Sequence, residues 1–181
     1  MRVTDNRNIS KYLDDFKKKL FDDIEKRCRR YCIELCRAAI THRYEAPRAH
    51  NFTGNLLNSI VVCLYREQKP VIAYYAADLE GNVKHVKMTA PRRYRFKQDY
   101  DGARSVYKAE VVTDEGWGEE DARKFFSSYR PSGNYLFTIV VAYTTEYAAF
   151  VENHRQSTGF LKTYAFAERT VEQYLKLPRV K

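Results

Sequence analysis

Thr53-Gly54-Asn55-Leu56-Leu57-Asn58-Ser59-Ile60-Val61-Val62-Cys63-Leu64-Tyr65 decides how this chain folds, because three local signals follow one another within it. Thr53 suits an N-cap, its hydroxyl accepting from an orphan amide of the first turn, and Gly54 lets the chain turn sharply. Leu56, Leu57 and Ile60 recur at helical spacing, which predicts a short helix. From Ser59 the residues become β-branched and apolar, which predicts a buried strand to about Tyr65. Such a capped turn of helix feeding straight into a strand is a joint; the blander reading is a connector that begins with Thr-Gly.

Upstream of the joint lies the longest periodic stretch of the chain. Ile9, Leu13, Phe16, Leu20, Ile24, Cys28, Tyr31, Leu35 and Ala39 recur three or four apart, predicting an amphipathic helix from Ile9 to about Tyr44. Asn8 or Ser10 can cap it, and Pro47 closes it because the residue before a proline avoids the α region. About thirty-five residues at ~1.5 Å each make a rod of roughly 50 Å, longer than a small domain needs. Either it overhangs onto a neighbouring subunit, or its first turns are mobile. Lys17, Lys18 and Lys19, with Arg27, Arg29 and Arg30, fall on its other faces and read as solvated.

Downstream, Val71 to Tyr75 predicts a second strand, and Leu79 to Asn82 a turn into a third around Val83 to Met88. Arg92-Arg93-Tyr94-Arg95-Phe96-Lys97 alternates aromatics with cations, placing them on opposite faces of a strand. Asp101-Gly102 marks a turn, Ser105 to Thr113 a further strand, and Thr113 to Gly118 a loop. Glu119 to Tyr129 reads as a short helix with acidic residues at its start, as the helix dipole prefers. Pro131 to Asn134 is a turn. Tyr135 to Tyr143 is a strand apolar enough to be central. A last helix runs from about Gly159 to Leu177, with Phe160, Tyr164, Ala167, Val171, Tyr174 and Leu175 on its apolar face and Pro178 after it.

The expected fold is α+β: a long N-terminal helix and a C-terminal helix packed on a mostly antiparallel β-sheet, with the helices on one face. A length of 181 residues suits one domain, 1–181. Within it, 1–46 is the N-terminal helix, 53–66 the helix-strand joint, 67–133 an elaborated sheet region, and 134–181 the central strand and closing helix. Only 7 glycines and 5 prolines argue against long disordered linkers. The chain has no apolar run of the roughly 20 residues that span a bilayer and no signal-peptide core after Met1, so no membrane is expected and synthesis in a cytosol is. The net charge of +9 permits an anionic partner such as nucleic acid.

Cys28, Cys32 and Cys36 lie four apart on the long helix, with Cys63 on a strand. They match no disulfide framework. A helical cysteine stripe could hold a soft metal, but no histidine stands at zinc-site spacing, and the stripe reads as core. Phosphate-binding, dinucleotide, hydrolase-elbow and zinc-protease motifs are all missing. Glu152 and His154 could pair as orienter and base, though such pairs more often decorate a helix end. Asp114, Glu115, Glu119, Glu120 and Asp121 could attract a divalent cation but lack calcium-loop spacing. Arg92, Arg93, Arg95 and Lys97 are the candidate DNA-facing residues, suited to non-specific phosphate contact.

Two short patterns, in the right order, carry a family resemblance. Thr53-Gly54-Asn55-Leu56-Leu57-Asn58-Ser59-Ile60 resembles the Thr-Gly-x-Leu-x-x-Ser-Ile signature of the tail-completion, or head–tail joining, proteins of tailed bacteriophages. Tyr147-Ala148-Ala149-Phe150-Val151-Glu152 is similar to that family's aromatic-Ala-x-aromatic-Val-Glu run, and Gly159-Phe160-Leu161 to Ala165 resembles its Phe-Leu-x-x-Ala helix start with one residue more before the alanine. Thr53, Gly54, Leu57, Ile60, Tyr147, Val151, Glu152, Phe160 and Leu161 are thus the structural motif residues. The chain departs from the pattern after Val151, where Glu152-Asn153-His154 stands for Glu-x-Gly-Thr. It also carries roughly seventy extra residues before Tyr147, expected to elaborate the sheet. The resemblance implies a non-enzymatic virion protein without cofactor or metal. It implies a ring, commonly of six copies, at the head–tail junction, touching neck and tail-tube proteins around a DNA channel. The competing reading is a non-specific DNA-binding accessory protein using 92–97; a metal-dependent nuclease using Glu152 or the acidic loop is a third.

Overall fold

A computed structural model describes residues 6–45, 55–79, 93–96, 109–112, 117–145, 148–149 and 159–176. Helix α1 spans Asn6–Glu45, forty residues without a break, or about 60 Å at ~1.5 Å each. Asn8 and Ser10, expected as caps, lie inside it. The apolar period begins only at Ile9, so it marked where the hydrophobic face starts and not where the backbone becomes helical. The one-turn helix α2 (Asn55–Asn58) leads into strand β1 (Ile60–Arg66), as the joint predicts. The Ser59 amide closes the turn on the Asn55 carbonyl at 2.9 Å, and the Ser59 hydroxyl donates to the Leu56 carbonyl at 2.8 Å.

Strand β2 (Lys69–Tyr75) returns antiparallel along β1. Between them Glu67 and Gln68 both take positive φ, 49° and 66°, as a two-residue hairpin turn of the right twist requires. Neither is a glycine, and outside contacts hold them. The Glu67 amide donates to the Leu136 carbonyl at 3.1 Å, and Gln68 Nε2 to the Gly133 carbonyl at 2.9 Å. Gly133 itself sits at φ 99°, so the expected turn at 131–134 is built on the one residue type that adopts this angle freely. Strand β5 (Phe137–Tyr143) then pairs antiparallel with the other side of β1, giving the order β2-β1-β5. A 3₁₀ turn follows β2 at Ala76–Asp78.

The central strand is therefore β1, and β5 is an edge of this sheet among the described residues, contrary to the expectation for 135–143. The physical reason is that an unbroken apolar run reports two covered faces, not two hydrogen-bonded neighbours. Ile139 and Val141 point toward α1, while Val140 and Ala142 point to the opposite layer. β1 does the same at full burial: Ile60, Val62 and Leu64 pack under α1, and Val61, Cys63 and Tyr65 on the other side.

That other layer is helix α3 (Trp117–Ser128), whose Ala122, Phe125 and Phe126 cover the second face. The helices accordingly take both faces of the sheet instead of one. The closing helix α4 (Gly159–Leu175) leans on α1. Tyr31 donates from its hydroxyl to the Ala167 carbonyl at 2.8 Å and stacks, tilted, on Tyr174 at 4.9 Å. Within the region 67–133, β2 belongs to the main sheet, while strands β3 (Arg93–Phe96) and β4 (Ala109–Val112) pair antiparallel with each other as a two-stranded ribbon that, among the described residues, is not hydrogen-bonded to it. The expected third strand at Val83 to Met88 and the Asp101-Gly102 turn lie outside the described residues.

Candidate interaction surface

Of the motif residues, Leu57 and Ile60 are buried to 2% and 0% exposure, so their part of the motif is a packing joint. Thr53 and Gly54 lie outside the described residues, as do Tyr147, Val151, Glu152 and His154. Ala148, inside the Tyr-Ala run, is buried, and its amide donates to the Thr145 carbonyl at 2.9 Å. Phe160 and Leu161 open α4 at 38% and 63% exposure; Phe160 also meets Tyr143 edge-on at 5.6 Å.

Two residues that the sequence did not single out complete the joint. Gly118, in the first turn of α3, sits so close to α2 that a Cβ there would lie 2.7 Å from the Asn55 carbonyl carbon and closer still to its oxygen. Its amide donates to Asn55 Oδ1 at 3.4 Å. A lone Gly next to the only Trp reads as a loop, and the need for a bare Cα appears only when α2 is brought against it. Arg123, one turn further, ties the layer to the end of β2. It donates to Glu119 at 2.7 Å and Asp78 at 3.1 Å, and its guanidinium lies 4.6 Å from the Tyr75 ring centre. Glu119, Glu120 and Asp121 thus belong to a helix, with Glu119 engaged by Arg123, while Asp114 and Glu115 lie outside the described residues.

The thiols of Cys28, Cys32, Cys36 and Cys63 are all buried. Burial pushes Cys36 and Cys63 up to about 12, and raises Cys32 and Cys28 for the same reason. At neutral pH they are neutral thiols in a core, not the thiolates that bind metal or attack. Among the described residues no three His, Cys, Asp or Glu side chains are grouped to hold a metal ion. Nor, among them, is any helix long and apolar enough to cross a membrane. Of the basic strand, Arg93 and Arg95 fall on β3, where the register sets Glu110 opposite Arg95; Arg92 and Lys97 lie outside the described residues.

Among the described residues two apolar surfaces stand open. The first is the leading end of α1. Its apolar stripe is buried from Cys28 onward, but Ile9, Tyr12, Leu13 and Phe16 are 55%, 71%, 48% and 54% exposed. The last tie before this stretch is Arg66, at the end of β1, whose guanidinium lies 5.5 Å from the Phe21 ring and 5.8 Å from Phe137 and pairs with Glu25 at 3.7 Å. The second is a cleft of about 470 Å³ between α4 and the apolar face of β5. Phe137, Ile139 and Val141 form its floor, Phe160, Tyr164 and Val171 its α4 wall, and Cys28, Tyr31 and Leu35 its back. It exists because α4 rests on α1 and stands off from the edge strand. Comparison with known protein families, curated proteins and solved structures gave no match.

Proposed function

We propose that this chain is a non-enzymatic structural protein of a phage virion, a tail-completion component that assembles as a ring where the neck meets the tail. The observation that carries the reading is the leading end of α1, a continuous helix that leaves the body with its apolar stripe uncovered. A lone domain gains nothing from such a patch, whereas an assembling one uses it as an interface. The joint supports the same reading: within the stretch 55–60 that resembles the phage family, Leu57 and Ile60 pack in the core between α1 and the sheet, and Asn55 meets Gly118 of α3.

In such a ring the partners are further copies, commonly six in all, with neck and tail-tube proteins above and below. Arg93 and Arg95 on the ribbon suit passive contact with DNA in the channel. The test removes residues 1–20 from the protein in assembling particles. Residues 9–19 are exposed throughout, so the remaining domain stays folded. Tails and filled heads are expected to accumulate unjoined; particles that assemble and infect normally refute the proposal.

A further inference from the structure

We infer that the exposed leading end of α1 in one copy docks into the α4–β5 cleft of a second copy, so that subunits join head to tail. Ile9, Tyr12, Leu13 and Phe16 stand at i, i+3, i+4 and i+7, the anchor spacing with which an amphipathic helix fills an apolar groove. The cleft, at about 470 Å³, has the size of a site that takes several apolar side chains. The leading end of its own α1 cannot reach it. α1 is one unbroken helix, and Leu13 lies fifteen residues before Cys28 at the back of the cleft, about 22 Å away along a rod that cannot fold back on itself.

Charge points to the same occupant. Helical spacing sets Lys17 and Lys19 on the two flanks of the stripe, both exposed. The charged residue lining the cleft is Glu168, and Glu172 follows one turn on along the same edge of α4. Lys162 and Arg169 fall toward the far side of that helix. A stripe flanked by lysines thus meets a groove whose α4 edge carries carboxylates. Because stripe and cleft are different surfaces, the contact is heterologous and each copy presents one of each, which generates a ring if the rotation closes. The docking rests on the assembly reading, that copies of the chain associate, and names the two surfaces that do so.

The test uses full-length protein. Phe16→Cys and Tyr164→Cys are made as separate variants and mixed at high concentration under mild oxidation; the native thiols are buried and stay silent. A covalent dimer is expected from the mixture at more than ten times the yield of either variant alone. Phe16→Asp and Tyr164→Asp, both at exposed positions, keep the parent's circular dichroism and melting temperature. Each is expected to sediment as a monomer where the parent associates, while their mixture recovers one good interface and stops at a dimer. No cross-link, or oligomers indifferent to both Asp variants, overturns the docking. So does native mass spectrometry that finds a lipid-like molecule held in the cleft and lost in Tyr164→Asp. If the 1–20 deletion blocks particle joining but Tyr164→Asp does not, the docking falls and the phage reading stands. Head-to-tail dimers together with normal particles from the deletion give the reverse.

Discussion

Replacing Gly118 by Ala tests whether α2 and α3 touch as closely as described. On helix propensity alone the change is favourable, since Ala is better than Gly by about 0.5–1 kcal/mol in a helix. The structure predicts the opposite sign. The new methyl would lie 2.7 Å from the carbonyl carbon and 2.9 Å from the Cα of Asn55, both backbone atoms of a buried turn, so no side-chain rotation relieves it. Either α3 or α2 must shift, and overpacking of that kind costs about 1–3 kcal/mol. The shift also weakens the Gly118 amide bond to Asn55 Oδ1, already long at 3.4 Å, for up to about 1 kcal/mol more. With the overlap at the upper end of its range, the net loss is about 2–3 kcal/mol, or a fall in melting temperature of roughly 5–10 °C for a chain of this size. Thermal unfolding of Gly118→Ala beside Lys124→Ala, an exposed site on the same helix, measures it. A melting temperature equal to or above the parent's for Gly118→Ala refutes the close approach.

Leu57→Ala should cost about 2–5 kcal/mol, because Leu57 is 2% exposed between α2, α1 and the sheet. A variant with unchanged melting temperature but lost assembly would instead make Leu57 a binding residue. Alkaline pH should destabilise the protein. Burial raises Cys36 and Cys63 from 9.0 to about 12, so above pH 9 the unfolded chain releases thiol protons that the folded chain retains. The stability from these two groups is complete below pH 9 and lost as pH climbs toward 12. Urea midpoints between pH 8 and 11 should fall, and fall less steeply in Cys36→Ala; parallel curves would show that the thiol does not titrate differently in the two states.

The local elements were legible in the sequence because each rests on a pattern within its own residues. The stripe from Ile9 to Ala39 specified a helix, and Leu56-Leu57 followed by β-branched residues specified the turn and strand of the joint. The excess length of that helix was readable from the stripe as well, since a repeat can be counted without knowing what covers it. What covers it was not. Tyr31 and Phe16 carry the same periodic signal, yet one is sealed against α4 and the other stands in solvent, because only the position of the body along the rod separates them. The same holds for β5, whose apolar run could not tell two covered faces from two paired neighbours. It holds for α3: the odd-numbered residues of β1 are apolar as well, but only the packing makes α3 the element that covers them. Gly118 and the α4–β5 cleft arise from elements distant in sequence meeting at a particular separation. Periodicity sets which face of an element is apolar; the tertiary packing alone decided which of those faces were filled, how closely backbones approached, and which apolar surface was left open.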